Sequence, residues 1–468
     1  VLAVTGAAAV ALGGAARRDP GAPWVGTAAR VLAVALLVNE VGFHIVHHAD
    51  EGLSPRGDLP LHLTDAATIA AVVALWRPVP LAFELTYFWA FTATVQALAT
   101  PDLRQGFPDY PGPPEVLEVA RAAIGTAADQ YPPGPGLPEL RQAIADHVHR
   151  FRDTAYDPAD EVLVTAGATE ALSGALLALL DTGDEVVLFE PMYDCYAAGI
   201  AMAGGVARPV PLRPPADGAG RWTFDPAELR AAITPRTKVL LVNTPHNPTG
   251  KVFTREELTV LAVHAIDHDL LVLTDEVYEH LVFSRARHTS MATLPGMRER
   301  TLVVGSAGKT FNVTGWKIGW ICGPAPLVAA VRTAKQFLTY VNGGPFQPAI
   351  AAGLRLPESY FDAVAQDLEY RRDVLVRGLR EAGLPVISPE ATYFATVDVR
   401  SVQPDGDGLA FCRSLPARAG VVAVPSGVFY DPAHAHLGRH LVRFAFCKRD
   451  EVLADAVRRL AAMGRAGG

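Results

Sequence analysis

Four side chains of this sequence have types that together could do carbonyl chemistry: the amine of Lys309, the carboxylate of Asp275, the amide of Asn247 and the ring of Tyr193. Each stands at the end of a short apolar run, TLVVGSAG before Lys309, LLVLTD ending at Asp275, VLLVNTPH before Asn247 and VVLFEPM before Tyr193. A lysine amine whose pKa is lowered by apolar or cationic surroundings can attack a carbonyl and form an imine. A carboxylate can pair with a protonated ring nitrogen, an aromatic side chain can stack on a flat ring, and an amide can donate to a phenolate. These are the parts needed to hold a pyridine aldehyde. Taken singly, Lys309 reads equally well as a surface lysine and Asp275 as a strand-end acid or helix cap. The weight lies in their joint occurrence and order.

A second cluster could receive an anion. TAGATEAL, Thr165 to Leu172, is a small-residue turn between a strand-like and a helix-like run, and backbone N–H groups in such a turn can bind a phosphate. Lys317, eight residues after Lys309 in KTFNVTGWKIG, could add a cation. A structural turn and a solvated lysine are the plainer alternatives.

Positioning these groups requires a particular scaffold. After Thr100 short β-branched runs alternate with longer amphipathic stretches, which predicts an α/β fold with a mostly parallel sheet covered on both faces. Functional groups of such folds gather at the carboxyl ends of strands, where Lys309, Asp275, Asn247 and Tyr193 fall. The chain of 468 residues is long enough for two to four domains, and its net charge of −8 argues against nucleic acid as a main partner. Cys195, Cys322, Cys412 and Cys447 lack metal-ligand spacing, so neither a disulfide framework nor a metal site is expected, and a reducing compartment fits best.

Before Thr100 the composition is different. Apolar segments at about 1–16, 30–46, 61–76 and 80–98 are each long enough to cross, or nearly cross, a bilayer. Asn39, Glu40, His44, His62, Asp65 and Glu84 lie inside them and would face a bundle interior. His44, His47 and His48 read as interfacial histidines rather than metal ligands. The chain opens at Val1 with no basic residue before the first apolar run, which suggests an N-terminally incomplete sequence rather than a signal peptide. Arg30 and Arg77 place their loops in the cytoplasm, so a fourth span would exit outward, away from a cytoplasmic cofactor supply.

From Gln105 onward the motifs QGFPDYPGPPEVL, QYPPGPGLPELRQAI, EPMYDCY, NTPHNPTGKVF, TDEVYEHLVF, SAGKTFNVTGWKIGW and LVRFAFCKRDE resemble fold-type I, class I/II aminotransferases that use pyridoxal 5′-phosphate. The nearest likeness is to the branch of kynurenine aminotransferases, cysteine-conjugate lyases and N-succinyldiaminopimelate aminotransferases. The resemblance implies a seven-stranded large domain at about 130–345 and a smaller α+β domain from about 105–129 plus 346–468. It implies that Lys309 forms the Schiff base and moves the proton at the substrate Cα, that Asp275 pairs with the pyridine nitrogen, and that Asn247 and Tyr278 bind the phenolic oxygen. Tyr193 would stack on the ring. Ala168, Thr169, Ser306 and Lys317 would hold the phosphate, and Tyr131 would reach the phosphate of a partner in a homodimer. Arg443 would bind the substrate α-carboxylate, with Gly106 giving it close approach to backbone, and amino-acid and 2-oxo-acid substrates would react in two halves. β-Elimination from cysteine conjugates, on the same lysine, is the rival activity, and a membrane-anchored protein with an inactive aminotransferase part is a rival of another class.

The N-terminal arm that such enzymes carry before QGFPDYP is replaced here. LPLHLTD and FELTYFWAFTATVQALATPDLRQGFPDYP resemble a bacterial family of multi-pass membrane proteins, so residues 1–104 read as a helical membrane-like segment joined to a catalytic part, 105–468, expected in the cytoplasm. Both likenesses run through Gly106 to Pro111, which points to a chimera joined where two unrelated families look alike.

Overall fold

The computed structural model describes residues 101–466 apart from 216–219, 284 and 404. The four apolar segments and the polar residues within them lie outside the described residues. Among the described residues no helix is long and apolar enough to cross a membrane. Contacts divide the chain between Thr100 and Pro101, and the described residues all belong to the second unit.

Strands β1 (Val162–Thr165), β2 (Glu185–Glu190), β3 (Val206–Pro211), β4 (Thr237–Asn243), β5 (Leu271–Asp275), β6 (Thr301–Ser306) and β7 (Gly319–Cys322) form one sheet in the order β1-β7-β6-β5-β4-β2-β3. Val186 and Leu188 of β2 and Val239 and Leu241 of β4 belong to one apolar cluster, while Val187, Phe189, Leu240 and Val242 belong to another. Alternate residues therefore enter two separate cores, as a sheet covered on both faces requires. Pairings from β3 through β2, β4 and β5 to β6 are parallel, but β7 runs antiparallel to both β6 and β1. The sheet is thus mostly parallel, as the sequence predicts, with one exception in the reversed β7. Its reason is local: Ala307 N–H donates to Ile318 O at 3.1 Å, closing the β6–β7 connection as a broad hairpin instead of a crossover.

Sequence signals set the helix starts. Thr254 accepts from Glu257 N–H and Glu257 returns a bond to Thr254 N–H, a capping box that opens helix Arg255–Asp267. Pro138 and Pro226 stand in the first turns of their helices, where a missing N–H costs nothing.

A second sheet, β8 (Val386–Ile387), β9 (Phe394–Asp398), β10 (Val424–Pro425) and β11 (Leu441–Ala445), is antiparallel in the order β10-β11-β9-β8. Its core includes Leu375 and Leu379, Phe411 and Leu415, and Leu453 and Leu460, from three different helices. Buried Leu103 joins this core, its N–H donating to Val422 O at 3.1 Å and its carbonyl accepting from Ala445 N–H at 2.7 Å. That pairing carries the next residues, Arg104 to Gly106, to the β11 side of the site.

Candidate cofactor and substrate site

The site begins where β4 and β5 end side by side, with Asn243 opposite Asp275 in register. Asn243 donates from Nδ2 to Asp275 O at 2.9 Å and accepts Asn247 N–H on Oδ1 at 2.7 Å, so one amide ties the two strand ends and aims the following loop. The Asp275 side chain is buried and accepts the Tyr196 hydroxyl on Oδ2 at 2.7 Å and Val277 N–H on Oδ1 at 3.3 Å. Burial raises its pKa to about 6, against the opposing pull of those two donors and of Lys309.

Lys309 lies in a four-residue helix, Ala307–Thr310, whose N-cap Ser306 accepts Gly308 N–H at 3.2 Å. Its amine donates to Gly106 O at 3.2 Å, and the same carbonyl accepts the Tyr393 hydroxyl at 2.6 Å. The amine stands 5.8 Å from the Tyr278 ring centre and 5.5 Å from that of Tyr393, two rings packed edge to face. Loss of hydration among these rings lowers its pKa to about 8. Such an amine is largely deprotonated under conditions where an ordinary lysine is not. A Cβ on Gly106 would lie 2.4 Å from the Phe394 ring and 2.7 Å from that of Tyr393, so no side chain fits there.

At the other end of the site, Gly167 opens helix Gly167–Leu179 with φ +74, a left-handed conformation that glycine adopts without strain. The ammonium of Lys317 lies 3.1 Å from where a Cβ on Gly167 would be, so a lysine faces a helix N-terminus. Gly319 comes closer still, since its own Cβ would meet Gly167 C at 2.5 Å and Ala168 N at 2.7 Å. Among the described residues no acidic group pairs with Lys317, and Ala166 N–H is taken by the Glu170 carboxylate at 2.6 Å. A cation held against the positive end of a helix is unfavourable unless an anion lies between them. Ala168 and Thr169, in the first turn, and Lys317 therefore fit a phosphate.

Arg443 enters from β11. It donates from Nη1 to Asn247 Oδ1 and from Nη2 to Arg104 O, each at 3.1 Å, and its guanidinium lies between the rings of Phe394 at 4.1 Å and Phe429 at 4.5 Å. Burial lowers its pKa to about 10, and its buried Nε has no partner among the described residues. An unsatisfied buried donor on a charged group is costly, and a carboxylate would satisfy it.

Lys309, Asp275, Tyr278, Asn247, Gly106 and Arg443 are thus joined by contacts around one space. Tyr193 meets Tyr196 edge to face at 5.7 Å, and burial raises the Tyr193 pKa to about 12. Tyr131 stands apart from this set: it is 82% exposed and its ring meets Tyr340 at 5.7 Å. Sequence reasoning missed Tyr196, Tyr393, Asn243, Phe394 and Phe429. Asn243 sits four residues before Asn247 in NTPHN, and Tyr196 three after Tyr193, so both were within reach of the motifs that named their neighbours.

Comparison with known proteins agrees with this geometry. Residues 101–460 match the family model of aminotransferase class I and II, and residues 1–111 match that of the TMEM164 family, so the two matches overlap at 101–111. The chain is 48% identical over 387 residues to a probable N-succinyldiaminopimelate aminotransferase, DapC, of Mycobacterium tuberculosis, covering 81% of this chain and 96% of that one. It is 40% identical to mouse kynurenine–oxoglutarate transaminase 3, covering 78% of this chain and 85% of the mouse protein. The solved structure of N-succinyldiaminopimelate aminotransferase from M. tuberculosis superposes with a TM-score of 0.77 at 48% identity, covering 81% of this chain and 97% of that one. The chain belongs to the class I and II aminotransferases and is a pyridoxal-phosphate-dependent transaminase.

Proposed function

We propose that this chain moves the amino group of N-succinyldiaminopimelate, or of an amino acid of the kynurenine or methionine type, to a 2-oxo acid at the site around Lys309. The observation that carries the reading is the pairing of a deprotonation-prone Lys309 amine with a buried Arg443 whose Nε lacks a partner among the described residues. When bound, pyridoxal phosphate supplies an aldehyde that takes up nitrogen and a ring that withdraws electrons from the substrate Cα.

The rest falls to the chain's own residues. Lys309, as the neutral amine, would hold the cofactor through Nζ and would carry the proton of the substrate Cα. Asp275 would keep a negative charge for the ring nitrogen, Asn247 and Tyr278 would donate to the phenolic oxygen, and Tyr193 would cover the ring. Lys317, Ser306, Ala168 and Thr169 would bind phosphate at the helix start. Arg443 takes the α-carboxylate with its planar fork, beside Gly106, whose lack of a side chain leaves room. In this reading the seven-stranded part, about 130–345, binds the cofactor, and the four-stranded part, with about 105–129 and 346–468, binds the substrate.

A homodimer is part of the proposal. Tyr131, 82% exposed, stands beside Tyr340, and Phe337 nearby is 86% exposed, an apolar surface suited to a second copy. Attachment to a membrane through residues 1–98 is supported by the TMEM164 match alone.

The substrate reading is tested by supplying each amino donor with 2-oxoglutarate. Stoichiometric glutamate from N-succinyldiaminopimelate is expected. Pyruvate and ammonia from a cysteine conjugate, with no glutamate from any donor, would replace transfer by elimination.

A further inference from the structure

One buried phenol at the site has no role in that scheme. Tyr196, in helix Asp194–Met202, is 2% exposed and shares an apolar cluster with Leu188, Leu241 and Leu273. Its hydroxyl donates to Asp275 Oδ2 at 2.7 Å, and its ring stands at 90° to that of Tyr193. Held by packing on one side and by Tyr193 on the other, the hydroxyl has little freedom to turn elsewhere.

We propose that Tyr196 is a positioning residue of the cofactor site: its hydroxyl keeps the buried Asp275 charged and occupies Oδ2 with a short bond, leaving Oδ1, which accepts the longer bond from Val277 N–H, to receive the cofactor's ring nitrogen as well. This rests on the reading of Asp275 as the partner of that nitrogen. A carboxylate removed from water favours its neutral form, and a neutral acid would hold a protonated pyridine poorly. The groups facing Asp275 come from three elements. Glu276 and Tyr278 lie on its own loop, Tyr193, Cys195 and Tyr196 on the start of helix Asp194–Met202, and Lys309 on the short helix after β6. Glu276 opposes the charge, while Tyr193, Cys195 and Tyr278, with pKa values raised by burial, add none near neutral pH. Lys309 favours the charge, but its amine is the group that reacts with the cofactor. Tyr196 and the longer bond from Val277 N–H then hold the carboxylate ionised.

The consequence is a pH shift with a fixed sign. With the Tyr196 bond in place the Asp275 pKa is held near about 6 against burial, so removing the hydroxyl raises it further. The ionised fraction at a given pH then falls, and the acid limb of cofactor binding moves to higher pH.

The test is titration of the full-length apoprotein with pyridoxal phosphate, followed by intrinsic fluorescence, for the wild type and Tyr196→Phe at pH values from about 5 to about 9. The expected result is an acid limb displaced upward, with the Kd about tenfold weaker near neutral pH and the gap closing toward alkaline pH. In an Asp275→Asn background the same change should shift no limb. A uniform loss of affinity with an unmoved limb would overturn the proposal and leave Tyr196 a packing residue. Should Tyr196→Phe fail to fold, 3-fluorotyrosine at position 196, a stronger donor of similar shape, should move the limb to lower pH, and an unmoved limb would again be decisive. Failure of the wild type to bind pyridoxal phosphate would instead sink the functional reading itself.

Discussion

Lys309 and Lys317 leave the same β6–β7 connection eight residues apart and arrive in opposite surroundings. Lys309 is walled by Tyr278 and Tyr393 and held by one carbonyl, so its amine loses hydration and its pKa drops to about 8. Lys317 is exposed, adopts φ +53 and faces the start of helix Gly167–Leu179. At the ring end of the site burial makes a lysine reactive. At the phosphate end an exposed lysine faces a helix start, where an anion can bind. One loop supplies both because its hairpin closure brings its two ends to neighbouring strands.

Replacing either lysine by alanine should separate the two effects. Lys309→Ala removes nucleophile and proton carrier together, so kcat/KM for transamination should fall by at least about 10⁴-fold. An activity within tenfold of wild type would dissolve the distinction between the two lysines.

Arg443 extends the comparison to the second sheet, where a buried cation cannot lose its charge as Lys309 can. Arg443→Gln should lower kcat/KM by about 100-fold through loss of charge-assisted bonds to the α-carboxylate, while pyridoxal phosphate affinity changes little. Separate titrations of cofactor and substrate check this.

Lys317→Ala should weaken pyridoxal phosphate binding by about tenfold and flatten its dependence on salt, with a smaller effect on kcat at saturating cofactor. An unchanged Kd would remove Lys317 from the phosphate cradle.

The smallest effect concerns stability of the apoprotein. The pKa of Lys309 in the fold, about 8, lies below its unfolded value, so between these two values the unfolded chain binds more protons. Stability should therefore rise with pH across that window by more in wild type than in Lys309→Met. Urea midpoints at a series of pH values give the difference.

The strand ends that carry the candidate cofactor groups are legible in the sequence because each group follows a short apolar run. Asp275, Asn247, Tyr193 and Lys309 could be read in this way, since strand ends are encoded locally. Tyr196 and Tyr393 escaped because what marks them is a single hydroxyl direction, toward Asp275 Oδ2 and Gly106 O, set by packing between segments far apart in sequence. The antiparallel β7 escaped for a similar reason: alternation of strand and helix predicts parallel neighbours, whereas β6 and β7 pair as a hairpin that the Ala307–Ile318 bond extends. Arg443 was placed by resemblance; its Nε without a partner among the described residues and the flanking Phe394 and Phe429 rings came from the structure.

In the proposed function the cofactor joins the chain at the amine following Gly308. Borohydride reduction of the protein loaded with pyridoxal phosphate, followed by peptide mass mapping, tests it most directly. A single reduced adduct on the peptide that contains Lys309 is expected. An adduct on Lys317 or another lysine, or none at all, would contradict it.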